Sequence, residues 1–214
     1  MKFKTLRTLR GLAIPGWLTA VYPEGRRQRY LTPFKIHLVC AAIFVLAAPL
    51  AGFNLVSLTE SDQSGTVGRV ASARVADNDP RRPLFNARFD GRVQSVYTIA
   101  VGIEAIVLAV MLQLLFHKRH WPYGAHLVFA LHYVAFMYLL TIADGAARRL
   151  GLSTDLAATA GYTLLVPYLV IALKRVYPEP MGLILLKASA LMLLVVSLNG
   201  LANFVAIRLT LGLA

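Results

Sequence analysis

The chain has 214 residues, of which 57% are apolar and 15% charged, whereas a soluble domain carries about 25% charged residues. Water is therefore not its main solvent. The net charge of +12 would point to nucleic acid in a soluble protein, but cations flanking membrane helices are topogenic and meet anionic head groups, so no nucleic-acid partner is expected here. A single cysteine, Cys40, inside an apolar run excludes an internal disulfide and a cysteine-built metal site.

Residues 1–33 form a basic segment. The apolar run 11–22 is split by Pro15 and Gly16 and followed by Gly25 to Arg29 instead of a small-residue cleavage site, so it is expected to lie amphipathically at the cytoplasmic interface and not to act as a cleaved leader. Residues 34–214 are expected to form an all-α transmembrane bundle. A bilayer core about 30 Å thick needs roughly 20 apolar residues in helical form, and five windows meet this, near 34–56, 93–116, 123–143, 156–173 and 182–207. Basic clusters fall on alternate ends of successive windows. Thirteen Lys and Arg lie on the side of the N-terminus against nine on the other, which predicts a cytoplasmic N-terminus and a periplasmic C-terminus. The stretch 57–92 has no clear apolar period and is expected to be a periplasmic loop that cannot bury a core of its own.

Glu104 lies halfway along the second window. A carboxylate at that depth faces protein, pairs, or takes up a proton. His132 is at nearly the same depth in the third window, so a Glu104 to His132 contact is geometrically available. Asn199 and Asn203 are four apart on the fifth window and share a face, where amides seek interhelical partners; Ala157, Ala158, Ala160 and Gly161 in the fourth window and Ser197 and Gly200 in the fifth let helices approach. These four residues, Glu104, His132, Asn199 and Asn203, are the intramembrane polar candidates. Arg26, Arg27, Arg29 and Tyr30, just before a proline-initiated helix, are a seat for an anionic lipid head group, since guanidinium pairs bidentately with phosphate. His37, His117, His120 and His126 gather toward one membrane face without ligand-motif spacing, and no metal is expected. His126 and His132 stand about 120° apart around a helix, which does not suit one haem, and no other cofactor motif is present. There is no Gly-x-Ser-x-Gly elbow, phosphate loop or Cys/His dyad, so no catalytic residue is assigned and an enzyme is not expected.

The stretch TLRGLAIPGWLTAVYPEGRRQRYLTPFKIHL from Thr8 to Leu38 resembles the opening of a widespread bacterial family of membrane proteins of unknown function. Pro15, Gly16, Gly25, Arg26, Arg27, Arg29, Tyr30, Leu31, Pro33 and Phe34 fit its pattern, AHLVFALHYVAFMYLL from Ala125 resembles its His-x-Val-Phe-Ala-Leu-His run, and KRVYPEP from Lys174 resembles its connection to the last span. Members often begin with a Cys-x-x-Cys zinc ribbon, a pair this sequence does not contain. The resemblance implies a multi-pass protein of a bacterial inner membrane and carries over no activity. Two expectations of function follow. One is a non-catalytic accessory or scaffold subunit, binding lipids and other membrane subunits or itself; the other is a small transporter, channel or lipid-handling protein with a polar path around Glu104 and His132.

Overall fold

The structure, a computed structural model, describes residues 2–21, 30–50, 75, 79–117 and 121–213. Among them every regular element is helical: α1 (Lys2–Leu12), α2 (Trp17–Val21), α3 (Pro33–Leu50), α4 (Arg82–Leu115), α5 (Tyr123–Arg149), α6 (Thr154–Val176) and α7 (Met181–Leu213). The boundaries have local causes. Proline opens α3 and stands in the first turn of α4, where the missing N–H costs nothing. Asp79 turns the chain into α4 by accepting from the backbone N–H of Arg81 at 2.8 Å and from its guanidinium at 2.8 and 3.1 Å; these bonds hold its carboxyl down at about 2. Ser153 caps α6, its Oγ accepting from the N–H of Leu156 at 3.3 Å. Gly151, at φ 97°, makes the left-handed turn between α5 and α6.

Helices α4 to α7 form a ring in which each packs on the next and α7 closes back on α4. Consecutive members run antiparallel, so α5 and α7 run the same way. Helix α3 packs outside the ring on α5, with a lesser contact to α4. The α1–α2 hairpin, turned by Pro15 and Gly16, enters between α5 and α6, where Leu12, Leu18 and Val21 are buried. Thr8 ties α1 to the approach to α3, since its Oγ1 donates to Lys4 O at 2.6 Å and accepts from Leu31 N at 3.1 Å. The segment expected at the interface therefore contributes buried side chains to the bundle.

Among the described residues two helices are long and apolar enough to cross a membrane: Tyr123–Arg149, and α7 over Met181–Ala206. The outward faces of the ring are apolar as well. Ile99, Ile103, Ile106 and Leu114 of α4, and Leu186, Leu193, Leu201 and Phe204 of α7, are all exposed.

One expectation is corrected. Residues 82–92, assigned to a loop, are the first turns of α4, which at 34 residues is about 51 Å long at 1.5 Å per residue. Arg82, Asn86, Phe89 and Val93 are buried at the three- and four-residue spacing of one helical face. Two of these four are polar, which hides the face from a search for apolar periodicity. The remainder of the expected loop, 57–74 and 76–78, lies outside the described residues.

Candidate functional site

Glu104 is 3% exposed, on the face of α4 turned toward α7. The side-chain amide of Asn199 donates to its Oε1 at 3.2 Å and its Oε2 at 3.3 Å, and to Val195 O at 3.0 Å. An amide has two hydrogens, so one is shared by the carboxylate oxygens and the other satisfies a carbonyl of α7. The register is antiparallel and regular: Lys187 of α7 lies over the ring of Phe116 of α4, 4.1 Å from its centroid. From there Glu104 and Asn199 are each twelve residues along their helices, about 18 Å. The Tyr133 hydroxyl donates to Met192 Sδ at 3.5 Å, and that of Tyr138 is buried with no hydrogen-bond partner among the described residues.

His132 has a different partner. Its Nδ1 shares a hydrogen bond with Thr19 Oγ1 at 2.9 Å, which fastens the N-terminal hairpin to α5. The available Glu104 to His132 contact is not made. On a helix His132 and Tyr133 differ by 100°, and α5 turns the Tyr133 hydroxyl to Met192 of α7 while His132 faces the hairpin. Two further bonds hold that hairpin: Tyr168 donates to Leu12 O at 2.7 Å and Arg175 to Pro15 O at 2.5 Å.

Just beyond Arg175 an aromatic cluster joins the ends of α4, α5 and α6. Tyr177 is fully buried, stacked on Phe116 at 3.9 Å, and its hydroxyl lies 2.8 Å from His126 Nδ1. Burial pushes this phenol above its ordinary value, so it keeps its proton and can donate to the imidazole. Lys187 bonds Glu179 Oε2 at 2.6 Å, closing the turn between α6 and α7.

A cavity of about 450 Å³ opens between α5, α6 and α7, bordered by Asn199, Thr141, Tyr162 and the Asp144–Arg148 ion pair at 2.7 Å. Of the sequence candidates, Glu104 and Asn199 are brought together and His132 is set apart with Thr19. The side chain of Asn203 and the residues Arg26, Arg27 and Arg29 lie outside the described residues. Tyr30 is described, edge-on to Trp17 with ring centroids 5.4 Å apart. No group of His, Cys, Asp or Glu suited to a metal occurs among the described residues. Thr19, Tyr177 and the Asp144–Arg148 pair were not singled out from the sequence. Thr19 has a signal there, as the polar residue of an otherwise apolar Trp17–Val21 turn.

Because Glu104 and Asn199 bond each other, Glu104→Gln should be tolerated, its amide oxygen still accepting from Asn199. Glu104→Leu removes that acceptor and should cost about 1 kcal/mol more than the Gln variant. Unfolding in detergent of the two purified variants measures the difference, and a leucine variant as stable as the glutamine one would show that the pair does not hold the helices.

A family model described as a protein of unknown function (DUF3667) matches residues 4–45, which take in most of α1, all of α2 and most of α3. The similarity thus covers the inserted hairpin and its attachment to the first long helix. No curated protein and no solved structure matches the chain.

Proposed function

We propose that the chain is a five-crossing integral membrane protein of a bacterial inner membrane, N-terminus cytoplasmic and C-terminus periplasmic, that serves as a non-catalytic accessory or scaffold subunit of a larger membrane complex. The observation that supports it most is how three of the buried ionisable and imidazole groups are used. Glu104 is tied to Asn199, His132 to Thr19 and His126 to Tyr177, each bond joining different helices or the end of one to another. Groups held in this way act as struts between elements, as interhelical polar pairs do in lipid. The apolar exterior of α3, α4, α6 and α7 supports immersion, since exposed apolar surface of this extent on a soluble monomer would be unusual. The exposed faces of α6 and α7, with Leu164, Ile171, Leu193 and Phe204, are the surfaces offered to neighbouring subunits. The second reading, a transporter or lipid-handling protein, draws on the cavity beside Asn199.

Fusing a reporter active only in the periplasm after residue 75 should give activity, and after residue 119 none. Activity at the second position, or silence at the first, overturns the topology. For the scaffold role, purification from the native host in mild detergent with cross-linking should recover stoichiometric membrane partners. A lone monomer that moves a defined solute after reconstitution would overturn it in favour of the second reading.

A further inference from the structure

The cavity between α5, α6 and α7 has a polarity gradient. On α5, Met137, Thr141, Asp144 and Arg148 line it at spacings of four, three and four, a single face of the helix. On α7, which runs the same way, Met192 and Val195 precede Asn199 and Gly200. Both walls therefore pass from apolar to polar in one direction, ending at the Asp144–Arg148 ion pair, where the Arg148 side chain is 32% exposed. From Met137 to Arg148 is eleven residues, about 16 Å along the helix. Gly161 and Gly200 lie on the walls of α6 and α7, and a Cβ added at either meets nothing within 4 Å. Among the described residues no helix fills the space in front of them. A foreign helix does not fit within it either, being about 10 Å or more across, whereas about 450 Å³ lies in the range of small-molecule sites.

We propose that this cleft binds one membrane phospholipid, one of its two acyl chains lying along Met137, Leu165, Met192 and Val195 and its phosphate at Arg148. Guanidinium is the side chain best matched to phosphate oxygens. Its position at the polar end of an otherwise apolar slot sets the direction in which the lipid enters. The inference rests on the chain being membrane-embedded, and it goes beyond the scaffold reading by assigning a ligand site inside the bundle.

Native mass spectrometry of the full-length protein in mild detergent, titrated with phosphatidylglycerol, tests it. The wild type should retain one lipid. Gly161→Phe with Gly200→Phe, which fills the cleft from positions with open space, should lower retention at least tenfold. Val196→Trp enters the same cleft from a half-exposed position on α7 and should act in the same direction, which keeps the test decisive if the double variant does not fold. Arg148→Gln should weaken retention about tenfold. Glycerol phosphate, with no chain, should not compete. Equal retention by a folded filled variant overturns the proposal. So does competition by the chainless phosphate, which would mark a simple anion site, or loss of self-association on filling with lipid retention unchanged, which would mark a helix-docking groove. The reporter fusions decide membrane embedding separately, so a failure of this site and a failure of the topology are told apart.

Discussion

A valine at position 16 should undock the N-terminal hairpin from the bundle. Gly16 has φ 67°, and a Cβ there would stand 2.8 Å from both the Cα and the carbonyl oxygen of Ala172. The backbone conformation alone costs a branched residue about 1–3 kcal/mol, and the steric conflict is with backbone that no side-chain rotation can move. The chain relieves both by withdrawing the turn, which breaks the bonds of Thr19 to His132, Leu12 to Tyr168 and Pro15 to Arg175. Hydrogen exchange across residues 9–21 should accelerate at least tenfold while α7 is little changed. Gly151→Ala is the control: its φ of 97° is also left-handed, yet an added Cβ meets nothing, so only a conformational cost of about 1 kcal/mol is expected. Ala172→Gly should not rescue Gly16→Val, because it removes neither the Cα nor the oxygen in the way. Rescue by that change, or unaltered exchange in the valine variant, would show that the hairpin is not wedged against α6.

Truncating Tyr177 should be the most damaging single change in the aromatic cluster next to the hairpin's contact with α6. Its ring is fully buried between Phe116, Trp121, His126 and Phe129, so Tyr177→Ala opens a cavity where α4, α5 and α6 meet. Loss of a buried aromatic ring costs about 3–5 kcal/mol. Tyr177→Phe keeps the ring and gives up only the hydroxyl contact with His126, about 1 kcal/mol. Denaturation of both variants in detergent, followed by circular dichroism, separates the two contributions. Equal stability of the alanine and phenylalanine variants would mean that the stack does not hold this end together.

The two long helices α5 and α7 and where they start were legible in the sequence because their chemistry is local, although each runs on past its expected window, to Arg149 and Leu213. Uninterrupted apolar length marks the element, and proline, glycine and basic clusters mark where it starts. The burial of Glu104 was legible for the same reason, since a carboxylate amid apolar residues on every side has no other place to go than toward protein. The amides at 199 and 203 were recognised as partners in search of a group, although the group itself was not identified.

Which groups meet was decided by tertiary structure. Sequence depth placed Glu104 and His132 at one level, but a contact also needs the right rotation, and one residue turns a helix face by 100°. His132 faces the hairpin and the Tyr133 hydroxyl reaches Met192 of α7, and Asn199 reaches the carboxylate because α7 closes the ring against α4. The first turns of α4 were hidden because their buried face carries Arg82 and Asn86, whose burial depends on neighbours and not on their own hydropathy. The same holds for the hairpin. Pro15 and Gly16 announce a turn, but only the gap between α5 and α6, with Thr19 set against His132, determines that the turn enters the bundle, because docking is settled by shape and partners that lie more than a hundred residues away in the chain.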